Sequence, residues 1–577
     1  MVLPAEVETR IRRLVLSNAV DHEGAPRVEP IVGRLLATDI DLRARAPEVR
    51  AAVETAVSEI RGLAPEEQER LLAELGPVVA TRKRPVGSET GDFPDLPNAT
   101  PGKVVLRMAP FPSGALHIGN ARMIYVNDYY RRKYDGRILL VFDDTVGSEE
   151  KRIDAELFEI IEGDLAIAGC RPDSVYYKSD RVPLFYPWAR RIIEAGGAYV
   201  CVCPALKLRA NRVAGIACPE RSQTVEQSLD QFEKMLGGTY GPGEAVLRLK
   251  TSLSDPDPAF RDRVLLRLSD LDHPRVGRKY RVWPMLEFSW AVDDIELGIT
   301  HVLRGKDLVM EDRMQEFIWN LLGIRGPSFH HWGLLRLREA KISKSKSYQE
   351  VKSGIYDGWT DPRTWSIRSL DRRGICADSL RRFTLSFGMS LADIEVPAET
   401  LYAENRSLID STTLRRSITL DPVLVEVDGF PEGLERVKLA NHPDRPELGV
   451  REVSAGPRFY LARSDLEPRR GTEVRLKDLV NVQLPLEIPA THDEPVHGTF
   501  TSRENRRLPR LQWVGQSGAL PVDLLGLDGS HRSGMGERTL AEAAPGDIFQ
   551  FERVGFGRIE SDWKPGESPL RICFGHP

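Results

Sequence analysis

The sequence predicts a multidomain α/β protein in which a parallel, doubly wound sheet is split by an insertion, and three observations carry that expectation. The chain has 577 residues, well beyond the roughly 100–200 residues of one ordinary domain. Strand and helix patterns alternate from Lys103 to Ala168 at the spacing of successive β–α units, which build parallel sheets. After Ser417 the alternation gives way to short β-type runs separated by Gly, Pro, Asp and Asn turns.

Composition bounds the rest. Hydrophobic residues at 41% and charged residues at 29% are those of an ordinary globular protein, which excludes a disordered or collagen-like chain. The formal net charge of -5 neither supports nor excludes a nucleic-acid partner, because local basic faces grip phosphate whatever the total charge. Residues Met1 to Leu14 are broken by Pro4, Glu6, Glu8, Arg10, Arg12 and Arg13, so they hold no apolar signal core. No apolar run approaches the roughly 18 residues of a membrane span, and a cytoplasmic protein without membrane contact is expected. Six irregularly spaced cysteines do not form a disulfide framework, although Cys201, Cys203 and Cys218 lie close enough together to raise a metal question.

Taken in order, residues 1–95 carry helical periodicity, as in Val53, Ala56, Val57 and Ile60, and read as a helical N-terminal domain. Lys83 to Lys103, punctuated by Pro and Gly, reads as a linker. A strand from Lys103 to Ala109, a helix from His117 to Tyr134, a strand from Arg137 to Asp144 and a helix from Glu150 to Ala168 then open the sheet. The pattern breaks at 197–278, which reads as an inserted subdomain. Strand signals at Phe288 to Asp294, Ile299 to Arg304 and Trp332 to Leu337 complete the sheet. A split nucleotide-binding domain over 100–196 and 279–349, a helical region over 350–415 and a β-barrel region over 416–577 follow from this reading.

Ligands of such sheets bind beyond the carboxyl ends of the strands, where helix N-termini offer unpaired N–H groups to phosphate. Two segments meet that rule. In Ala109 to Arg122, small residues and prolines (Ala109, Pro110, Ser113, Gly114) let the backbone approach a ligand, His117 opens a helix, and Gly119 leaves room for a flat base. Asn120 reads either as a ligand contact or as a helix-surface amide. In Arg338 to Ser347, Lys341 and Lys344 place ammonium groups on a polyphosphate, while Ile342, Ser343 and Ser345 complete a small, donor-rich loop. Arg107 and Arg304 interrupt apolar strands, so each guanidinium needs a counter-charge, either Asp143 or Asp144 in a structural ion pair or a ligand carboxylate.

His117 to Asn120 and Lys341 to Ser345 resemble the HIGH and KMSKS motifs of class I aminoacyl-tRNA synthetases, and the chain resembles the archaeal glutamyl-tRNA synthetase branch over nearly its whole length. Arg107 to Pro110, Phe142 to Thr145 and Thr300 to Gly305 resemble the segments where that family holds glutamate. The chain departs from it at Asn120, Val141 and Leu286, where histidine, arginine and tyrosine are usual.

The resemblance implies a class I Rossmann-like catalytic domain, an acceptor-end-binding insertion and a β-barrel anticodon-binding region. It implies ATP with Mg2+, L-glutamate and tRNA(Glu), with tRNA(Gln) as a further acceptor, and a monomer. His117, Lys341 and Lys344 would be catalytic; Asp143 would accept the substrate ammonium, and Arg107 and Arg304 would bind its carboxylates, Arg304 reading the side chain. Cys201, Cys203 and Cys218 have zinc-like spacing, with Glu220 where relatives show a histidine; a metal-free relic of such a site is the alternative. A glutaminyl-tRNA synthetase and a catalytically weak tRNA-binding paralogue are the competing readings.

Overall fold

The computed structural model describes residues 5–21, 26–29, 31–32, 35, 42, 45–74, 91–146, 153–340, 344–489 and 495–577. The chain forms two compact units, Met1–Arg84 and Pro85–Pro577. In the first, the helices Ala5–Asp21 and Ala46–Arg61 bury Ile11, Val15, Leu16 and Ala19 with Val49, Val53, Val57 and Ile60, the apolar stripes their helical spacing dictates. Gln68, on the helix Pro65–Glu74, donates through Nε2 to the carbonyls of Ile60 (3.0 Å) and Leu63 (3.2 Å). Those are carbonyls at a helix end with no acceptor role left inside the helix.

The second unit opens with three parallel strands, β1 (Val105–Met108), β2 (Arg137–Phe142) and β3 (Ser174–Tyr177), in the order β1-β2-β3. An antiparallel sheet follows, formed by β4 (Ala198–Cys201), β5 (Val246–Leu249), β6 (Val264–Leu268) and β7 (Val282–Pro284). It packs its apolar face on Phe232 and Met235 of the helix Val225–Leu236. The chain then returns in β8 (His301–Gly305), which pairs in parallel with β9 (Ser328–Trp332). Thr300 stitches this pair to β1: its backbone N–H donates to Val105 O (3.0 Å), and Val105 N–H donates to its Oγ1 (2.9 Å). The spatial order is therefore β3-β2-β1-β8-β9, and the chain changes direction between β1 and β8, where ligands of doubly wound sheets bind.

Two expected strands differ. Phe288 to Asp294 lies in a helix, Leu286–Glu296, in which every residue from Glu287 to Asp294 is buried. A helix buried on all sides has no polar stripe, so its short apolar run reads like a buried strand. The run Trp332 to Leu337 breaks at Gly333, where a side chain would lie 2.1 Å from Ala392 O. Trp332 ends β9, and β10 (Leu335–Leu337) pairs with β11 (Ile394–Val396) instead.

Helices Lys344–Lys352, Ile367–Arg372, Ala377–Leu385 and Glu399–Ile409 lead to the C-terminal region. There, among the described residues, two seven-stranded sheets enclose separate apolar cores. Arg373, fully buried, joins helices to sheet by donating through Nη2 to Tyr402 Oη (2.8 Å) and Gly575 O (2.9 Å). Among the described residues no helix is long and apolar enough to cross a membrane.

Candidate active site

The segment after β1 is shaped by backbone contacts. Asp143 N–H donates to Pro110 O (3.1 Å) and Ser113 N–H to Phe111 O (2.9 Å), while a side chain at Gly114 would lie 2.9 Å from the Trp359 ring. Buried Asp164, whose carboxyl is pushed up to about 6 by burial, accepts from Leu116 N–H (2.7 Å) and from Arg368 Nε (2.7 Å). His117 is thus fixed at the rim: Ile118 N–H donates to Trp365 O (3.0 Å) and Ile367 N–H to Leu116 O (2.8 Å).

His117 caps its own helix. Its Nδ1 accepts from Gly119 N–H (3.0 Å), and Asn120 Oδ1 accepts from His117 N–H (3.2 Å). With Nδ1 accepting, the proton of a neutral ring sits on Nε2, a donor suited to phosphate oxygen. Asn120 is a capping residue. Gly119 is required for a reason the sequence did not reveal: a side chain there would lie 2.8 Å from His117 Cε1.

His117 and Gly119 share a cleft of about 470 Å³ with Arg336, Leu337, Arg338 and Ala340. The chain leading into the lysine–serine loop therefore borders the cleft that His117 enters. Lys341, Ile342 and Ser343 lie outside the described residues. Lys344 and Ser345 begin the helix Lys344–Lys352, and their side chains lie outside the description. Arg122, at the same cleft, is fully buried and donates to Gly333 O (2.9 Å), with burial pulling it down to about 10.

Arg107 and Arg304 project from β1 and β8 and are almost fully buried. The counter-charges expected at Asp143 or Asp144 are not the ones they use. Arg107 forms a two-pronged pair with Asp294, its Nη2 lying 3.0 Å from Asp294 Oδ2. Arg304 donates through Nε to Asp312 Oδ1 (2.7 Å) and through Nη2 to Gln315 Oε1 (2.8 Å). Gln315 Nε2 in turn donates to Asp294 Oδ2 (2.8 Å), and His331 Nε2 lies 2.6 Å from Asp312 Oδ2. Both acids sit on helices, a position that strand periodicity does not disclose. Arg304 Nη1 remains buried without a hydrogen-bond partner. Burial, then the neighbouring Arg107 charge, lowers the Arg304 pKa.

Asp143 has an internal cation. Lys178, fully buried at the end of β3, lies 2.9 Å from Asp143 Oδ1 and donates to Ser289 Oγ (2.6 Å); burial lowers its pKa. Asp144 instead accepts from the Ser179 backbone (2.9 Å) and hydroxyl (2.6 Å). The Trp290 ring lies 4.8 Å from both guanidinium carbons and 5.1 Å from Lys178 Nζ. Lys178, Trp290, Asp293, Asp294, Asp312 and Gln315 escaped the sequence reading. The usable signals were Lys178 at a strand's carboxyl end and the four-residue spacing of Trp290 and Asp294, which shares one helix face only once the segment is read as helix.

In the insertion, Cys201, Cys203, Cys218 and Glu220 bring one ligand atom each to within 4.8 Å of one another. Arg248 Nη1 lies 3.1 Å from Cys218 Sγ. Burial raises the Cys218 thiol, but bonds from Asn211 and the neighbouring cysteine and the Arg248 charge outweigh it, so its pKa is lowered. Three thiols and a carboxylate converging this closely fit a tetrahedral zinc.

The family described as "tRNA synthetases class I (E and Q), catalytic domain" matches residues 103–410, and its "anti-codon binding domain" matches residues 413–500 and 510–560. The chain is 38% identical over 567 residues to a glutamate–tRNA ligase of Pyrococcus abyssi, covering 96% of this chain and 97% of that protein. It is 38% identical over 555 residues to one of Methanothermobacter marburgensis, covering 96% and 98%, and 38% identical over 566 residues to one of Thermococcus kodakarensis, covering 96% and 97%. With likeness that runs through the catalytic and anticodon-binding regions alike, this chain belongs to the class I (E and Q) tRNA synthetases.

Proposed function

We infer that this chain is a glutamate–tRNA ligase, and the observation that carries the choice of amino acid is the Arg304 fork. It is buried, held in one orientation by Asp312 and Gln315, and left with one unsatisfied donor. The remaining Nη1 donor carries part of a full positive charge, and a charge-assisted bond to a carboxylate oxygen is roughly twice as strong as one to a neutral amide. Glutamate's α-carboxylate attacks the α-phosphate of ATP, giving glutamyl-adenylate and pyrophosphate; a ribose hydroxyl of the terminal adenosine of tRNA(Glu) then attacks the acyl carbon, forming the ester and releasing AMP.

The protein's part is positioning and charge. His117 donates to phosphate oxygen, Lys341 and Lys344 meet the charge that develops there, and Asp143, Arg107 and Arg304 hold the amino acid. Mg2+ accompanies ATP. The glycine and small residues at Ala109, Ser113, Gly114 and Gly119, with Asn120, Ile342, Ser343 and Ser345, frame the nucleotide.

The insertion 197–278 receives the acceptor end, the helices at 350–415 contact the stem, and 416–577 reads the anticodon. The enzyme works as a cytoplasmic monomer, and one assay identifies its acceptor and amino acid: charging purified tRNA(Glu) and tRNA(Gln) with labelled glutamate and glutamine. Glutamate charging of tRNA(Glu) is the expected result, whereas glutamine as the accepted amino acid overturns the reading. Zinc held by Cys201, Cys203, Cys218 and Glu220 would fix the insertion's fold; about one zinc per purified chain is expected, and a content well below that refutes it.

A further inference from the structure

Trp290 is 4% exposed and its indole N–H has no acceptor. An indole nitrogen is a donor only, and an unsatisfied buried donor costs roughly 1–3 kcal/mol. Other buried indoles of the chain avoid this: Trp319 donates to Ala291 O (2.8 Å), Trp188 to Glu296 Oε1 (2.8 Å) and Trp283 to Tyr280 O (3.0 Å). Trp359 shares the orphan state, and it lies against Gly114 in the nucleotide loop. Unsatisfied indoles thus occur beside both ligand segments.

The surroundings of Trp290 point to one kind of ligand. Its ring contacts Arg107, Arg304 and Lys178, and Arg304 Nη1 beside it is a second buried donor without an acceptor. Two orphan donors side by side call for acceptor oxygens from a ligand. Asp293, one turn along the same helix, pairs with Arg181 through Oδ1 (2.7 Å) and keeps a buried Oδ2 without a donor.

We propose that Trp290 is a specificity-determining residue of the amino-acid pocket, its indole N–H donating to a carboxylate oxygen of bound glutamate beside the Arg304 fork. This rests on the glutamate reading of the site. A carboxylate offers an acceptor oxygen to each of the two donors, whereas an amide offers one oxygen beside an NH2 group that is itself a donor. Trp290 therefore adds to the preference for acid over amide.

The test uses the full chain with tRNA present, ATP–pyrophosphate exchange, and the variants Trp290→Phe and Arg304→Gln. Trp290→Phe removes the N–H and keeps an aromatic ring. It should raise KM for L-glutamate about tenfold or more, the scale of a hydrogen bond to a charged group, while kcat changes by less than about threefold and KM for ATP stays put. The relative advantage of glutamate over glutamine should shrink with it.

An unchanged glutamate KM overturns the proposal. So does a loss in which kcat, KM for ATP and thermal stability move together, which marks a packing role. Arg304→Gln separates the two layers: if it raises glutamate KM while Trp290→Phe does not, the tryptophan proposal alone fails. If neither variant changes glutamate KM, the amino-acid site itself lies elsewhere.

Discussion

The proposed nucleotide cleft and the proposed amino-acid pocket are built by opposite means. The cleft is framed by backbone: carbonyl and amide contacts fix Pro110, Leu116 and Ile118, and His117 caps its own helix. The pocket is framed by charge: Arg107, Arg304 and Lys178 are each neutralised by an acid of the chain before any substrate arrives. A triphosphate brings its own strong charge, so an open cleft with oriented donors suffices. An amino acid brings three small charged groups, and discriminating among such ligands requires donors held rigidly out of water.

The largest effect that sharpens this contrast is expected at Arg304. Arg304→Gln takes the guanidinium from Asp312 and leaves it facing His331, and breaking one half of a buried pair costs about 3–5 kcal/mol of stability. Exchange kinetics should show kcat/KM for glutamate falling roughly 10³-fold, with KM for ATP unchanged. If ATP and glutamate suffer equally, the two regions are not separable. Lys344→Ala should act on the other region, reducing adenylate formation about 100-fold, the scale of one lost electrostatic donor. Exchange activity that survives it intact removes Lys344 from the mechanism.

The two regions also differ in how far the sequence disclosed them. The cleft was legible because its chemistry is local: small residues, prolines and a histidine within one turn-and-helix segment. The pocket was half legible. A guanidinium in an apolar strand announces a buried partner, yet Asp294 lies 187 positions from Arg107, on a helix whose uniform burial imitates a strand. Lys178 stands next to Asp180 and Arg181 in a polar stretch that carries no sequence sign of burial, yet the fold buries it completely. The cysteine cluster stood between these cases: local spacing pointed to three thiols with Glu220 beside them, and the fold brings the four ligand atoms within 4.8 Å of one another. In the C-terminal region, alternating Val423, Val425 and Val427 announced strands, but their assembly into two sheets depends on pairings distant in sequence.

A smaller effect marks a buried ring that serves neither site. His576 accepts from Asn405 Nδ2 (3.0 Å), and burial holds its pKa down at about 4, well below the usual value of roughly 6.5 for histidine. A depressed folded value means full stability above the unfolded pKa and loss as pH falls toward 4. Unfolding midpoints should drop across that window by the equivalent of roughly 2–3 kcal/mol, and His576→Asn should flatten the curve. An identical acid response in that variant refutes the assignment. Smallest is Asn120→Ala, which removes the cap on His117 N–H; about 1 kcal/mol should appear as a lower unfolding midpoint and a rise in KM for ATP, while Asn120→Asp retains the acceptor and restores both.

The most direct test of a pocket that waits for a dicarboxylate is a structure of the chain with L-glutamate bound. The side-chain carboxylate should lie within hydrogen-bond distance of Arg304 Nη1 and Trp290 Nε1, the two donors left without acceptors. Glutamate bound away from both, with those donors still unmet, contradicts the account.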